Sequence, residues 1–117
     1  TDIHKRAGGL AMARQNDACA ACHREQTKRV IFEHEAMREG CATCHNPHGS
    51  VNAKLLTQRD VNLCLRCHAQ VQGAGVTPGR VFIGSTDHTD YMRRSTCWAS
   101  GCHTALHGSN VDPKLRY

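Results

Sequence analysis

Every cysteine in this 117-residue chain belongs to a pair, and every pair is followed at once by histidine. The four sites read Cys19-Ala-Ala-Cys22-His23, Cys41-Ala-Thr-Cys44-His45, Cys64-Leu-Arg-Cys67-His68 and Cys97-Trp-Ala-Ser-Gly-Cys102-His103. Three follow C-x-x-C-H, the attachment pattern of c-type haem, and the last is a C-x4-C-H variant. Residues i, i+3 and i+4 share one face of a helical turn. Two thiols so placed reach the vinyl groups on one porphyrin edge, and the next residue sets an imidazole beneath the iron. Two extra residues in the fourth site break that spacing, so Cys97 is expected to approach from an irregular stretch, with Gly101 easing the bend.

Zinc is the chief competing reading, since two C-x-x-C pairs make a ribbon. Zinc does not demand His directly after each pair, and four such coincidences have odds on the order of 10⁻⁵ at this His frequency. A disulfide framework fails on the same point. A redox-active C-x-x-C occurs beside a βαβ pattern, and none is visible here. The expectation is four covalently attached haem c groups, held by Cys19, Cys22, Cys41, Cys44, Cys64, Cys67, Cys97 and Cys102, with His23, His45, His68 and His103 as proximal iron ligands.

Four irons each need a sixth ligand or present an open face. His4, His34, His48, His88 and His107 remain for that role, with Met12, Met37 and Met92. Met/His ligation raises a haem's potential relative to bis-His. With His in surplus, the methionines are expected to pack rather than ligate. An internal repeat selects among the histidines. Its first half runs from Cys19 through His34 and Cys41 to His48-Gly49-Ser50; its second runs from Cys64 through His88 and Cys97 to His107-Gly108-Ser109. The chain thus divides into two dihaem units, about residues 17–59 and 60–110 of one domain. His34, His48, His88 and His107 form the matched set, and His4 falls outside it. His34 is the candidate for the first haem and His88 for the third. A His just after an attachment site is tethered on the proximal side, so His48 and His107 should reach other haems.

Hydrophobic residues make up 39% of the chain and aromatics 4%, too little for an ordinary core at this length. About 29 residues per haem cannot insulate the cofactors, so the porphyrins themselves must be the core. The expected fold is mostly irregular, with short α-helices and no significant sheet. Asp17 should cap a helix through the first site, continued by a solvated stretch from Arg24 to Arg29. Glu33–Glu39 reads as a short helix ending at Gly40. Asn46-Pro47 should stop the helix after the second site. Asp60 should cap a helix from Val61 to Gln72, followed by loop with a short strand at Val81–Ile83. Ser95 is expected to start the last turn, and the tail after Ser109, containing Pro113, to be extended.

The formal charge is +5 and the pI about 8.9. No basic stripe interleaved with aromatics points to nucleic acid. Four ferric bis-His haems with ionised propionates bring the total to about +1 oxidised and about −3 reduced, so the excess cations balance propionates. No apolar run is long enough for a membrane span or a signal peptide, and the start at Thr1 fits a processed, exported chain, periplasmic or extracellular.

Gly40–Ser50, followed by Leu63–His68, resembles the doubled C-x-x-C-H motif of multihaem cytochromes. The closing segment Gly101–Asn110 is similar to the end of the periplasmic decahaem cytochromes of outer-membrane electron conduits, and the pentahaem electron donor to nitrite reductase is a related type. The resemblance covers roughly residues 19–110. It implies bis-His low-spin haems in a chain, bacterial or archaeal export, and other redox proteins as partners. This chain departs from those families in having four sites and a C-x4-C-H spacing. It is also similar in design to tetrahaem cytochromes that polymerise into extracellular filaments, some with ligands shared between subunits. The expected role is electron transfer, as a soluble carrier or as a subunit of such a homopolymer. The competing reading is a multihaem enzyme of nitrite or hydroxylamine type, which requires an open iron; the His surplus argues against it. No signalling domain accompanies the sites to suggest a haem sensor.

Overall fold

The computed structural model describes residue 4 and residues 12–68 and 79–117. Its regular elements are short: helices α1 (Met12–Cys22), α2 (Arg24–Thr27), α3 (Ala36–Glu39), α4 (Val61–His68) and α5 (Thr89–Arg94), and a two-residue hairpin of β1 (Phe82–Ile83) and β2 (Thr86–Asp87). Phe82 pairs with Asp87 and Ile83 with Thr86 in antiparallel register. The rest of the described residues is short 3-10 turn, turn and loop, as the thin apolar content predicts.

No apolar side chain is buried among the described residues; the buried side chains are those of Gln15, Thr89 and Ser109. Burying one large aliphatic or aromatic side chain contributes roughly 1.5–3 kcal/mol, and none of that support is present. The radius of gyration is 15.9 Å, against about 13.4 Å for a compact chain of this length. The polypeptide is an open frame that needs another component as its core.

Hydrogen bonds fix the frame. Asn16 Oδ1 on α1 accepts the Cys41 amide at 3.1 Å, joining the first site to the second. Arg66 on α4 donates through Nη1 to the Thr43 carbonyl at 3.1 Å, joining the third to the second. An isolated bridge between Phe32 and Ser109 ties the middle of the chain to its C-terminal loop.

Several local expectations need correction. Asp17 lies inside α1 rather than at its start, because that helix begins at Met12. The helix before Gly40 covers only Ala36–Glu39, and Gly40 itself has φ +119°, which turns the chain into the second site. Ser95 does not open a turn; its amide donates to the Tyr91 carbonyl and closes α5. The tail is not extended. Asp112 accepts the amides of Lys114 and Arg116, and the Ala105 amide donates to the Leu115 carbonyl, so residues 112–117 fold back on the segment after His103. Any continuation of α4 beyond His68 falls outside the described residues, as does the Met12 side chain.

Candidate haem-binding site

The attachment sites use three kinds of backbone for one closure. Site 1 ends α1 and site 3 lies within α4, whereas site 2 is a 3-10 turn at Cys41–Thr43. In site 1 the His23 amide donates to the Cys19 carbonyl at 2.8 Å, and in site 2 the His45 amide donates to the Cys41 carbonyl at 3.0 Å. Site 4 keeps the same link despite its two extra residues: the His103 amide donates to the Cys97 carbonyl at 2.9 Å. The insertion is absorbed by a turn in which the Cys102 amide bonds the Ala99 carbonyl and Gly101 takes φ +85°. The expected irregular approach of Cys97 is therefore present, and it preserves the first-Cys-to-His bond rather than losing it.

Each proximal histidine is faced by a second imidazole. The ring centroids lie 6.3 Å apart for His4 and His23, 6.2 Å for His34 and His68, 6.3 Å for His45 and His107, and 6.5 Å for His88 and His103. Interplanar angles run from 12° to 25°. Rings in face contact would lie about 3.5–4 Å apart. Two imidazoles on opposite sides of one first-row metal, each at about 2.0–2.1 Å with its ring centre about 1.1 Å further back, have centroids about 6.3 Å apart. The four gaps fit an iron between two histidines.

The outer hydrogen bonds fit as well. Nδ1 of His34 meets the Leu106 carbonyl at 2.7 Å, that of His45 the Lys54 carbonyl at 2.8 Å, that of His88 the Thr86 carbonyl at 2.9 Å, and that of His103 the Lys114 carbonyl at 2.5 Å. A carbonyl only accepts, so Nδ1 carries the proton and Nε2 keeps its lone pair for a metal. Such a partner fixes ring orientation and raises ligand basicity. His68 and His107 are held below the ordinary imidazole value, first by loss of water around the ring and then by neighbouring imidazoles. Both shifts favour the neutral ring, the form that ligates.

Thiols of different sites perturb one another electrostatically. Burial pushes the Cys41 thiol up, and the adjacent Cys19 thiol adds to it. Burial likewise raises Cys44, which Arg66 opposes and Cys67 reinforces. Cys64 and Cys97 share a hydrogen bond that raises Cys64 and lowers Cys97 to about 7. These influences link site 1 with 2, 2 with 3 and 3 with 4. Space opens beside them: a cavity of about 390 Å³ lies next to Cys41, bounded by Asn16, Ala20, His34, Met37 and His107, and one of about 470 Å³ lies against Leu56 and Trp98. Among the described residues, no three His, Cys, Asp or Glu side chains converge on one point as a bare-metal site would need.

The five spare histidines separate clearly. His34, His88 and His107 of the repeat each face a proximal histidine, but their targets are the third, fourth and second sites. His4, outside the repeat, faces His23. His48 is exposed and faces none of the four. Two pairs, His34–His68 and His45–His107, join the two halves of the chain.

Sequence reading missed the carbonyl acceptors of Lys54 and Lys114, although a signal for them exists. The repeat extends past His-Gly-Ser to Lys54-Leu55 and Lys114-Leu115. At this turn Lys54, Leu55 and Leu115 adopt φ of +56°, +56° and +58°. Left-handed backbone at a non-glycine residue costs about 1–2 kcal/mol, held here where the Lys carbonyls meet the proximal histidines.

Comparison with known proteins agrees with this geometry. Residues 34–73 match the doubled CXXCH motif family. The chain is 39% identical over 109 residues to the multiheme cytochrome MtrA of Shewanella baltica, covering 91% of this chain and 29% of that protein. It is 33% identical over 63 residues to the cytochrome c-type protein NrfB of Haemophilus influenzae, covering 50% of this chain and 28% of that protein. The chain thus spans less than a third of the length of either relative.

Proposed function

Since this chain belongs with the doubled-CXXCH multihaem c-type cytochromes, we propose that it binds four haem c groups and passes electrons along them in the order of its attachment sites. Cys19 and Cys22, Cys41 and Cys44, Cys64 and Cys67, and Cys97 and Cys102 form the thioether links. The axial pairs are His23 with His4, His45 with His107, His68 with His34, and His103 with His88. The single observation that carries this reading is the fourfold 6.2–6.5 Å spacing of parallel imidazoles, one pair per attachment site.

Bound haem supplies a one-electron Fe(III)/Fe(II) couple. The residues of the chain set its position and electrostatics. The bonds from Asn16 Oδ1 to the Cys41 amide and from Arg66 to the Thr43 carbonyl hold neighbouring attachment segments together, which favours transfer between neighbours. Nδ1–carbonyl bonds at His34, His45, His88 and His103 hold the rings and release no proton on reduction. With both axial positions filled, no iron is left open to substrate, so the protein is a carrier rather than an enzyme. It acts in the periplasm or outside the cell, as a soluble shuttle or a filament subunit, and exchanges electrons with other redox proteins.

Haem counting and electron paramagnetic resonance test the proposal. The expected result is four haems per chain and an oxidised spectrum that is entirely low-spin. A high-spin component in the intact protein would revive the enzyme reading. Sedimentation of the native protein separates shuttle from filament.

A further inference from the structure

His34 and His88 each set Nδ1 on a carbonyl, but they reach it differently. The acceptor for His34 is Leu106, 72 residues on. The acceptor for His88 is Thr86, two residues back, at 2.9 Å. His34 is thus oriented by closure of the whole chain, and His88 by its own neighbourhood. A carbonyl two residues back meets the ring only if the backbone between them is held, because a free chain of this length samples many φ and ψ. Residues 80–91 supply that hold.

His88 stands between β2 and α5, and both sides are tied to Val81. The His88 amide donates to the Val81 carbonyl at 2.8 Å, and the Val81 amide donates to Thr89 Oγ1 at 2.8 Å. The Thr89 hydroxyl in turn donates to Asp87 Oδ1 at 2.7 Å, and the same oxygen accepts the Thr89 amide at 3.0 Å. One hydroxyl thereby joins the residue before β1, the residue before His88 and the first residue of α5. Thr89 is 6% exposed, one of three buried side chains among the described residues. Outside this clasp, Arg80 pairs with Asp87 at 3.6 Å and with Asp90 at 3.5 Å. Those pairs lie at the surface, where screening leaves them little weight. The buried hydroxyl, which satisfies a donor and an acceptor at once, carries the clasp. Tyr91, one turn into α5, sets its ring edge-on to that of His88, with centroids 5.8 Å apart and planes at 71°. Such contacts are favourable and directional. The Thr86 carbonyl fixes one edge of the imidazole, and Tyr91 limits its swing.

We propose that Thr89 is a positioning residue for the axial pair of the fourth site. Through Asp87 and Val81 it holds the Thr86 carbonyl on His88 Nδ1. Together with Tyr91 it sets the plane of the His88 ring, 24° from that of His103. The Nδ1 proton stays on His88 throughout. Loss of the carbonyl partner frees the ring to turn, lowers its basicity and weakens its hold on a metal. Ring plane has its own spectroscopic signature: nearly parallel axial imidazoles give a ferric low-spin haem a rhombic paramagnetic resonance signal, and imidazoles turned towards a right angle give a single, strongly displaced g value. The proposal rests on the pairing of His88 with His103 given above.

The test uses the holoprotein. His88→Ala is measured first: one haem should turn high-spin, and the low-spin signal that disappears identifies the fourth haem. Absence of a high-spin haem rejects the axial pairing itself, independently of Thr89. Thr89→Val then removes the hydroxyl with little change of shape. The expected result is four attached haems by mass spectrometry, three unchanged low-spin signals, and a fourth turned from the rhombic to the displaced form. In the reduced protein, carbon monoxide takes the sixth position only where the distal histidine lets go. Its affinity for that haem should rise by roughly three- to tenfold, the weight of one hydrogen bond. Thr89→Ser restores the hydroxyl and should reverse both changes. Tyr91→Leu, at a side chain 59% exposed, should alter the same signal with the clasp intact, and Tyr91→Phe should leave it as it is. A merely structural role for Thr89 predicts a lower unfolding midpoint with all four signals unchanged, and that result would overturn the proposal. So would a change that Thr89→Ser does not reverse, or one that falls on another haem. Where Thr89→Val does not assemble, Tyr91→Leu decides: an unchanged fourth signal rejects the proposal.

Discussion

Replacing His107 by alanine removes the distal partner of His45, a contact that closes the longest loop of the four pairs. The two residues are about 62 positions apart, and fixing such a loop restricts the unfolded chain by roughly 4 kcal/mol on the cross-link entropy scale. The His88–His103 pair closes a loop of about 15 residues, worth roughly 3 kcal/mol on the same scale. Because no apolar side chain is buried among the described residues, little else compensates. His107→Ala should turn one of four haems high-spin and lower the unfolding midpoint by roughly 15–30 °C, taking about 4–8 °C per kcal/mol for a domain of this size. Unfolding is followed at the Soret band and by far-ultraviolet circular dichroism. Added imidazole should refill the open iron and restore the low-spin spectrum without restoring the midpoint, because a free ligand ties nothing together. An unaltered spectrum in His107→Ala would refute the pairing. Full recovery of the midpoint with imidazole would refute the tether argument.

Gly101→Ala places a side chain at φ +85°, costing about 1–2 kcal/mol; mass spectrometry should find a fraction of chains lacking the fourth haem, and complete attachment would count against the role given to that turn. Asp112 is held below the ordinary carboxylate value chiefly by the Lys114 amide, with Arg116 contributing. Its contribution to stability is fully present above the unfolded pKa of about 3.9 and is lost as pH falls through the depressed folded value, so Asp112→Asn should flatten the acid limb of the unfolding curve. Adjacent haems at about 10 Å with an effective dielectric of about 20 repel an added electron by roughly 1.7 kcal/mol, or about 70 mV; a redox titration should therefore be broader than a single one-electron wave. The chain expressed without haem attachment should show no cooperative thermal transition, and a sharp one would mean the polypeptide has a core of its own.

The proposed proximal half of each site is read from local chemistry. Two thiols and an imidazole must reach one porphyrin edge and one iron, and a few consecutive residues suffice. The irregular fold and absence of a significant sheet were legible for a related reason: a chain poor in apolar and aromatic residues has little with which to build helix or sheet layers. Less visible was the folded tail, where Asp112 captures the amides of Lys114 and Arg116 and overrides the extended reading that Pro113 suggested. The C-x4-C-H pattern was visible in the sequence, but not the retained His103–Cys97 bond, which depends on how the inserted turn closes.

The sequence by itself determined that there are four Cys pairs each followed at once by His, and that five further histidines remain beside them. Only the tertiary structure decided which histidine faces which site. A distal ligand is defined by a gap of about 6.3 Å across an iron, and nothing in chain spacing encodes that distance when the partners lie from about 15 to about 62 residues apart. The repeat favoured His48 over His4, since both halves carry the same His-Gly-Ser loop. In space those loops share the glycine φ, +132° at Gly49 and +128° at Gly108, yet one turns His107 onto His45, while the other leaves His48 exposed and His4 faces His23.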